Sequence, residues 1–96
     1  MQLEIITPET EIFKGDVNAV QFPGLDGSFQ VLNGHAPIIS ALSKGDVKVN
    51  LVEALSESDT NHELVREDSS DRNVIRVAIK GGVMEMLNNK IIVLAE

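Results

Sequence analysis

Apolar side chains recur at every second position along much of this 96-residue chain. Val47, Val49 and Leu51 alternate with Lys48 and Asn50. Ile75, Val77 and Ile79 alternate with Arg76, Ala78 and Lys80, and Val20 and Phe22 bracket Gln21. A period of two describes strands that turn one face to a core and the other to solvent. Between these runs stand Pro8-Glu9, Lys14-Gly15-Asp16, Gly24-Leu25-Asp26-Gly27, Asn33-Gly34, Ser43-Lys44-Gly45-Asp46, Gly81-Gly82 and Asn88-Asn89. Turn signals at that density leave little room for helices. Asn88-Asn89 suits a two-residue hairpin turn, because Asn tolerates positive φ better than most residues. The pattern predicts one all-β domain over residues 1–96, an antiparallel β-sandwich of about eight to ten short strands.

Residues 53–73 break the alternation. Seven acids (Glu53, Glu57, Asp59, Glu63, Glu67, Asp68 and Asp71) stand against Arg66 and Arg72, so this stretch carries −5 of the total −7. Its apolar residues are only Ala54, Leu55, Leu64 and Val65, too few to build much core. The segment therefore reads as a solvated, mobile acidic hairpin. Residues 56–71 should then be replaceable by a short Asn-Gly turn at little cost. Carboxylates can hold hard cations, but the Asp-x-Asp/Asn-x-Asp/Asn-Gly spacing of a calcium loop is missing and the segment has no Gly.

Composition narrows the functional classes. A chain of this length supports one domain with a real core, and 43% hydrophobic residues favour a packed fold. The absence of Cys excludes a disulfide framework, a thiolate zinc site and a Cys nucleophile. A net charge of −7 argues against direct contact with nucleic acid or an anionic membrane surface. The longest unbroken apolar run, Ile91 to Ala95, is far short of the roughly 18 to 20 residues of a membrane helix. No secretory or transit signal precedes the first strand, so the composition favours a soluble, cytosolic chain.

The densest turn chemistry runs from Phe22 to Pro37, where three glycines, two prolines and His35 surround the run Phe29 to Leu32. Glycines permit turns that a side chain would obstruct, and prolines fix a torsion angle. Two shaped corners on a β-framework result. His35 and His62 are the only imidazoles. Ser28, Ser40, Ser43 and Asp26 lie near His35 in sequence, but no Gly-x-Ser-x-Gly elbow accompanies them. The phosphate-binding patterns Gly-x-Gly-x-x-Gly and Gly-x-x-x-x-Gly-Lys-Ser/Thr are absent as well. From the residues alone, His35 serves as a structural turn residue, an interface residue or, least of all, a catalytic one.

The order of these features resembles the epsilon subunit of the F-type ATP synthase over nearly the whole chain. The resemblance runs through Ile5-Ile6-Thr7-Pro8-Glu9, Phe13-Lys14-Gly15, then Pro23-Gly24 and the stretch Asp26-Gly27-Ser28-Phe29-Gln30-Val31-Leu32-Asn33-Gly34-His35-Ala36-Pro37. It continues through Lys44-Gly45, Gly81-Gly82 and the closing Val93-Leu94-Ala95. It implies the same β-sandwich and a non-catalytic role in the central stalk, which transmits ion flow through the membrane ring to ATP synthesis in the alpha/beta head. It also implies no cofactor and no metal, and a peripheral position on the cytoplasmic face of the bacterial plasma membrane. The strand around Thr7 and the segment from His35 to Ser40 would lie toward the gamma subunit, with Thr7, His35, Ala36, Pro37, Ile38 and Ser40 singled out. The corner Leu25-Asp26-Gly27-Ser28 would approach the ring of c subunits, and residues 53–73 would be an acidic insertion between two strands that relatives join by a much shorter turn. The alternative is an unrelated small acidic β-sandwich that binds some other protein.

Three positions depart from the family pattern. Many relatives carry Glu, Gly and Pro where this chain has Ser28, Gln30 and Asn33. Ser28 removes a charge from the expected ring contact, and Asn33 relaxes the following corner. The chain also stops at Glu96, where typical relatives continue into two helices. The inhibitory arm and nucleotide motif of that helical domain are therefore not expected here. The resemblance leaves open whether the domain is missing by nature or by truncation, and Met1 without tag residues favours a natural short form.

Overall fold

The computed structural model describes residues 1–55 and 62–96. Nine strands follow one another: β1 (Gln2–Ile6), β2 (Glu11–Gly24), β3 (Gly27–Leu32), β4 (Ile38–Leu42), β5 (Gly45–Leu51), β6 (Val65–Glu67), β7 (Val74–Ile79), β8 (Gly82–Leu87) and β9 (Lys90–Ala95). There is no helix among the described residues, so none is long and apolar enough to cross a membrane. The strand count falls in the range the alternation predicts. The runs read as half-buried strands behave so: Val47, Val49, Ile75, Val77, Val20 and Phe22 are fully buried. Asn88 and Asn89 have φ of 51° and 60°, the left-handed pair that a two-residue hairpin turn between β8 and β9 requires.

The strands form two layers that share β2. The first is ordered β1-β9-β8-β4, with the early part of β2 beside β1; the second is β3-β2-β5-β7-β6. β2 is 14 residues long, not short, and its pairing with β5 shifts register between Val17 and Ala19. Such a bulge lets one strand bend from one sheet into the other. Between the layers lie Leu3, Ile5, Phe22, Val31, Val49, Ile75, Met84, Met86, Ile91 and Val93, and the rings of Phe22 and Phe29 meet with centroids 5.5 Å apart.

The antiparallel expectation holds with one exception. β1 pairs antiparallel with β2 but parallel with β9, Leu3 opposite Ile91 and Ile5 opposite Val93. Hairpin neighbours must run antiparallel, whereas strands from opposite ends of the chain are free of that constraint.

The described part of the acidic segment holds a strand as well as turns. Residues 56–61 of that stretch lie outside the described residues. Beyond them Val65–Glu67 form an edge strand on β7, and Leu64 and Val65 pack against the core. Asp68 ties this edge down. Its carboxylate accepts from the Ser70 hydroxyl (2.7 Å), the backbone N–H groups of Ser70 and Asp71 (3.0 Å each) and the Arg76 guanidinium (2.6 Å). The Ser70 hydroxyl first, and then Arg76, hold the Asp68 carboxyl well below the usual carboxylate range, so it is ionised at any ordinary pH. Arg66 pairs with Asp46 across the same face. Replacing residues 56–71 by an Asn-Gly turn is thus expected to cost about 1–3 kcal/mol in denaturant unfolding, since an edge strand and the Arg76 partner are lost. A change below about 0.5 kcal/mol would restore the reading of a dispensable insertion.

Candidate functional site

The two corners predicted from the glycines and prolines both exist, and they sit at opposite ends of β4. Gly24 closes β2 and Gly27 opens β3, with Leu25 and Asp26 between them as the turn. A Cβ on Gly24 would stand 2.6 Å from the Gly27 carbonyl oxygen and 2.9 Å from the Phe29 ring. Only glycine allows the hairpin to close that tightly. Leu25 projects from the tip with 66% of its surface exposed. Behind it lies an open groove of about 360 Å³, bounded by Leu25, Asp26, Gly27 and Ser28 on one side and Ser40 and Ala41 of β4 on the other. The Leu25 N–H donates to the Ala41 carbonyl (3.3 Å), which fixes the spacing of those two walls.

The second corner, residues 33–37, links β3 to β4 and is exposed throughout. The His35 N–H donates to the Leu32 carbonyl (3.0 Å) and Gly34 takes φ of 81°. Nδ1 of His35 lies 2.7 Å from the Ala36 carbonyl oxygen, so this edge of the ring is held locally. The described residues include no group of three or more His, Cys, Asp or Glu able to hold a metal.

The residues singled out as facing gamma do not form one cluster. His35, Ala36 and Pro37 share the exposed corner. Ile38 and Ser40 stand opposite the buried Met86 and Met84, on the inward register of β4, and both are only half-exposed. Ser40 also lines the groove of the Leu25–Ser28 corner. Thr7 follows β1, which lies between β9 and β2, and its hydroxyl accepts from the Glu9 and Thr10 N–H groups at 3.4 and 3.2 Å. Register places its neighbour Ile6 in line with Leu94, Val83 and Ala41, at the Gly82 end, whereas the His35 corner lies at the Asn89 end.

What joins these places is the outer face of β1-β9-β8-β4. One cross-strand row reads Ile6, Leu94, Val83, Ala41 and the next reads Glu4, Ile92, Glu85, Ile39. Ile39 is 70% exposed, the most of any large apolar residue described, and on the same face Leu94, Leu87 and Val83 are 56%, 50% and 43% exposed. On the outer face of the other layer Gln30, Gln21, Lys48, Arg76 and Arg66 form a polar row across β3-β2-β5-β7-β6, with Leu32 of β3 exposed beside it. Exposed apolar side chains gathered on one face favour a protein contact, and here they stand around Glu4 and Glu85. Ile39 falls within the His35 to Ser40 segment expected to face gamma, and the sequence carries a signal for its direction. Adjacent apolar residues on a strand point to opposite faces, so Ile38-Ile39 had to put one of them outside.

Comparison with known proteins gives a consistent match. Residues 1–58 match the family model described as ATP synthase, Delta/Epsilon chain, beta-sandwich domain. The ATP synthase epsilon chain of Chlorobaculum tepidum is 39% identical over 98% of this chain and 86% of its own length. That of Chlorobium limicola is 37% identical over 99% and 88%. The Salinibacter ruber epsilon chain is 35% identical over the whole of this chain, which spans only 58% of that relative. Among solved structures, a chain of the Tetrahymena thermophila mitochondrial ATP synthase central stalk and c-ring superposes with a TM-score of 0.64 over 99% of this chain and 62% of its own, at 16% identity. That likeness concerns the fold.

Proposed function

The chain belongs to the ATP synthase epsilon-chain family, and from that premise we propose that its outer apolar sheet grips gamma while the Leu25–Ser28 corner rests on the membrane ring. It is a non-catalytic, stalk-type subunit of a membrane-associated complex, and the reading as an unrelated acidic binding module falls away. In a bacterial cell the proposal puts it on the cytoplasmic face of the plasma membrane, below the alpha/beta head.

Such a subunit has to carry load between two contacts without deforming. Nine hydrogen-bonded strands around one core suit that, because packed interiors have low compressibility. The proposed gamma surface consists of His35, Ala36 and Pro37 at one end, Ile39 and Ala41 along β4, and Val83, Ile92, Leu94 and Ile6 leading across to Thr7. Ile38 and Ser40 support it from beneath. The ring contact uses Leu25 as an apolar anchor and the groove beside Asp26, Gly27 and Ser28 to receive a polar loop.

The observation that carries this reading is the contrast between the two outer faces, one exposing Ile39, Leu94, Leu87 and Val83 around Glu4 and Glu85, the other crossed by the charged row Lys48, Arg76 and Arg66. Amide hydrogen exchange with and without gamma tests it. Added gamma is expected to slow exchange at residues 35–41 and 83–94 and leave 46–50 and 74–78 unchanged. Protection confined to the charged sheet would overturn the assignment.

A further inference from the structure

The exposed corner 33–37 has no core contact of its own, yet a residue some fifty positions later holds it. Asn89, in the β8–β9 turn, accepts the Gly34 N–H on Oδ1 (2.8 Å) and donates from Nδ2 to the Asn33 side-chain oxygen (2.7 Å). The Gly34 N–H can only donate, so it fixes which way the Asn89 amide points. Beyond this clasp, the only described hydrogen bonds of residues 33–37 are local, from the His35 N–H to Leu32 and from the His35 ring to Ala36.

We propose that Asn89 is a positioning residue for the 33–37 corner, and that its two hydrogen bonds also guard a modification site, the Asn33–Gly34 peptide. Asn followed by Gly is open to cyclisation because no side chain shields the glycine nitrogen. In that step the Gly34 nitrogen gives up its proton and bonds to Asn33 Cγ. The Cγ–Nδ2 bond breaks, and the amide leaves with that proton as ammonia. Water then adds to the resulting succinimide and opens it to aspartate or isoaspartate. No electrons are gained or lost, and water is the sole co-reactant. The exposed position of both residues admits water and base. The fold keeps apart the two groups that must meet: the Gly34 N–H is engaged by Asn89 Oδ1, and the Asn33 carboxamide that carries Cγ is held by its oxygen against the same side chain. Isoaspartate would insert an extra backbone carbon at position 33 and displace His35, so the guard protects the shape of the corner as well as its chemistry.

The part of this inference that concerns gamma rests on the interface reading above, and the test separates the two. Asn89→Gly removes the amide while tolerating the φ of 60° at this position. Asn89→Asp keeps an acceptor for the Gly34 N–H but loses the donor to Asn33. In Asn89→Gly the Gly34 amide should exchange about ten-fold faster, and Asn33 should convert about ten-fold faster by peptide mass spectrometry with isoaspartate detection. Core amides such as Val49 and Ile91 should be unaffected. Asn89→Asp should keep Gly34 protected while conversion at Asn33 rises. Unchanged Gly34 exchange or unchanged conversion in Asn89→Gly would overturn the clasp. If Gly34 exchange rises and His35→Asp weakens gamma binding while Asn89→Gly does not, the positioning role falls. If neither variant weakens it, the interface reading falls and the guard stands.

Discussion

Gly82→Ala is expected to lower the thermal midpoint by roughly 12–24 °C, the consequence of about 3 kcal/mol lost in a domain of this size. Gly82 opens β8 at φ 145°, a conformation L side chains rarely adopt, and it faces Ala95 of β9. A Cβ there would stand 2.2 Å from the Leu94 carbonyl oxygen and 3.1 Å from the Ala95 Cα. Both obstacles are backbone, so no rotamer change relieves them. β9 would have to move away, and it is the strand that joins β1 to β8 in the first layer. Calorimetry measures the effect directly. Gly34→Ala is the contrast: its φ is 81°, but a Cβ would meet nothing within 4 Å, so only the torsional part of the cost applies. Equal midpoints for the two variants would show that strand approach at Gly82 is not what the glycine provides.

That pair of glycines also illustrates what the sequence reveals and what it withholds. Gly81-Gly82 and Gly34 both read as turn signals, but only Gly34 lies in a turn, whereas Gly82 opens β8. Which one also permits a close backbone approach depends on β9, distant in space until the sheet closes. Alternation works well where a strand has one buried face, as at Val47 to Leu51 and Ile75 to Ile79, because burial itself imposes the period of two. It works poorly for β6, three residues long and drawn from an acidic stretch, which is a strand because β7 offers it an edge. The parallel β1–β9 pair has no local signature for the same reason.

The candidate site divides along similar lines. The two corners were legible because turn chemistry is local, and Asp26-Gly27 and Asn33-Gly34 stand where Gly-rich sequence puts them. Which face Ile38 and Ser40 take was not, because direction on β4 is set by its register with Met84 and Met86 of β8. The clasp between Asn33 and Asn89 was hidden altogether. Each Asn reads as an ordinary turn residue, and only the fold brings the two turns together.

Ile39→Lys is expected to leave the isolated chain folded and to weaken its binding to gamma by about 2–5 kcal/mol, at least roughly 30-fold in Kd. Ile39 is 70% exposed, so replacing it removes almost no core, and the new cation would stand opposite Glu85 of β8. An opposite-charge cross-strand pair offsets part of the loss in strand propensity, so the unfolding midpoint should barely move. In the complex the same cation would be pressed into an apolar contact, where desolvation outweighs what one carboxylate returns. Gln30→Lys makes a matching change on the polar outer face of the other layer and is expected to leave gamma binding intact. Titration of gamma with each variant, alongside calorimetric unfolding, separates the cases. A folded Ile39→Lys chain with unchanged affinity would remove β4 from the gamma interface. Equal weakening by both variants would trace the effect to net charge instead of to the apolar face. A selective loss at Ile39, with ATP synthesis falling in membranes rebuilt with that variant, would place the contact with gamma on the strand between the two corners.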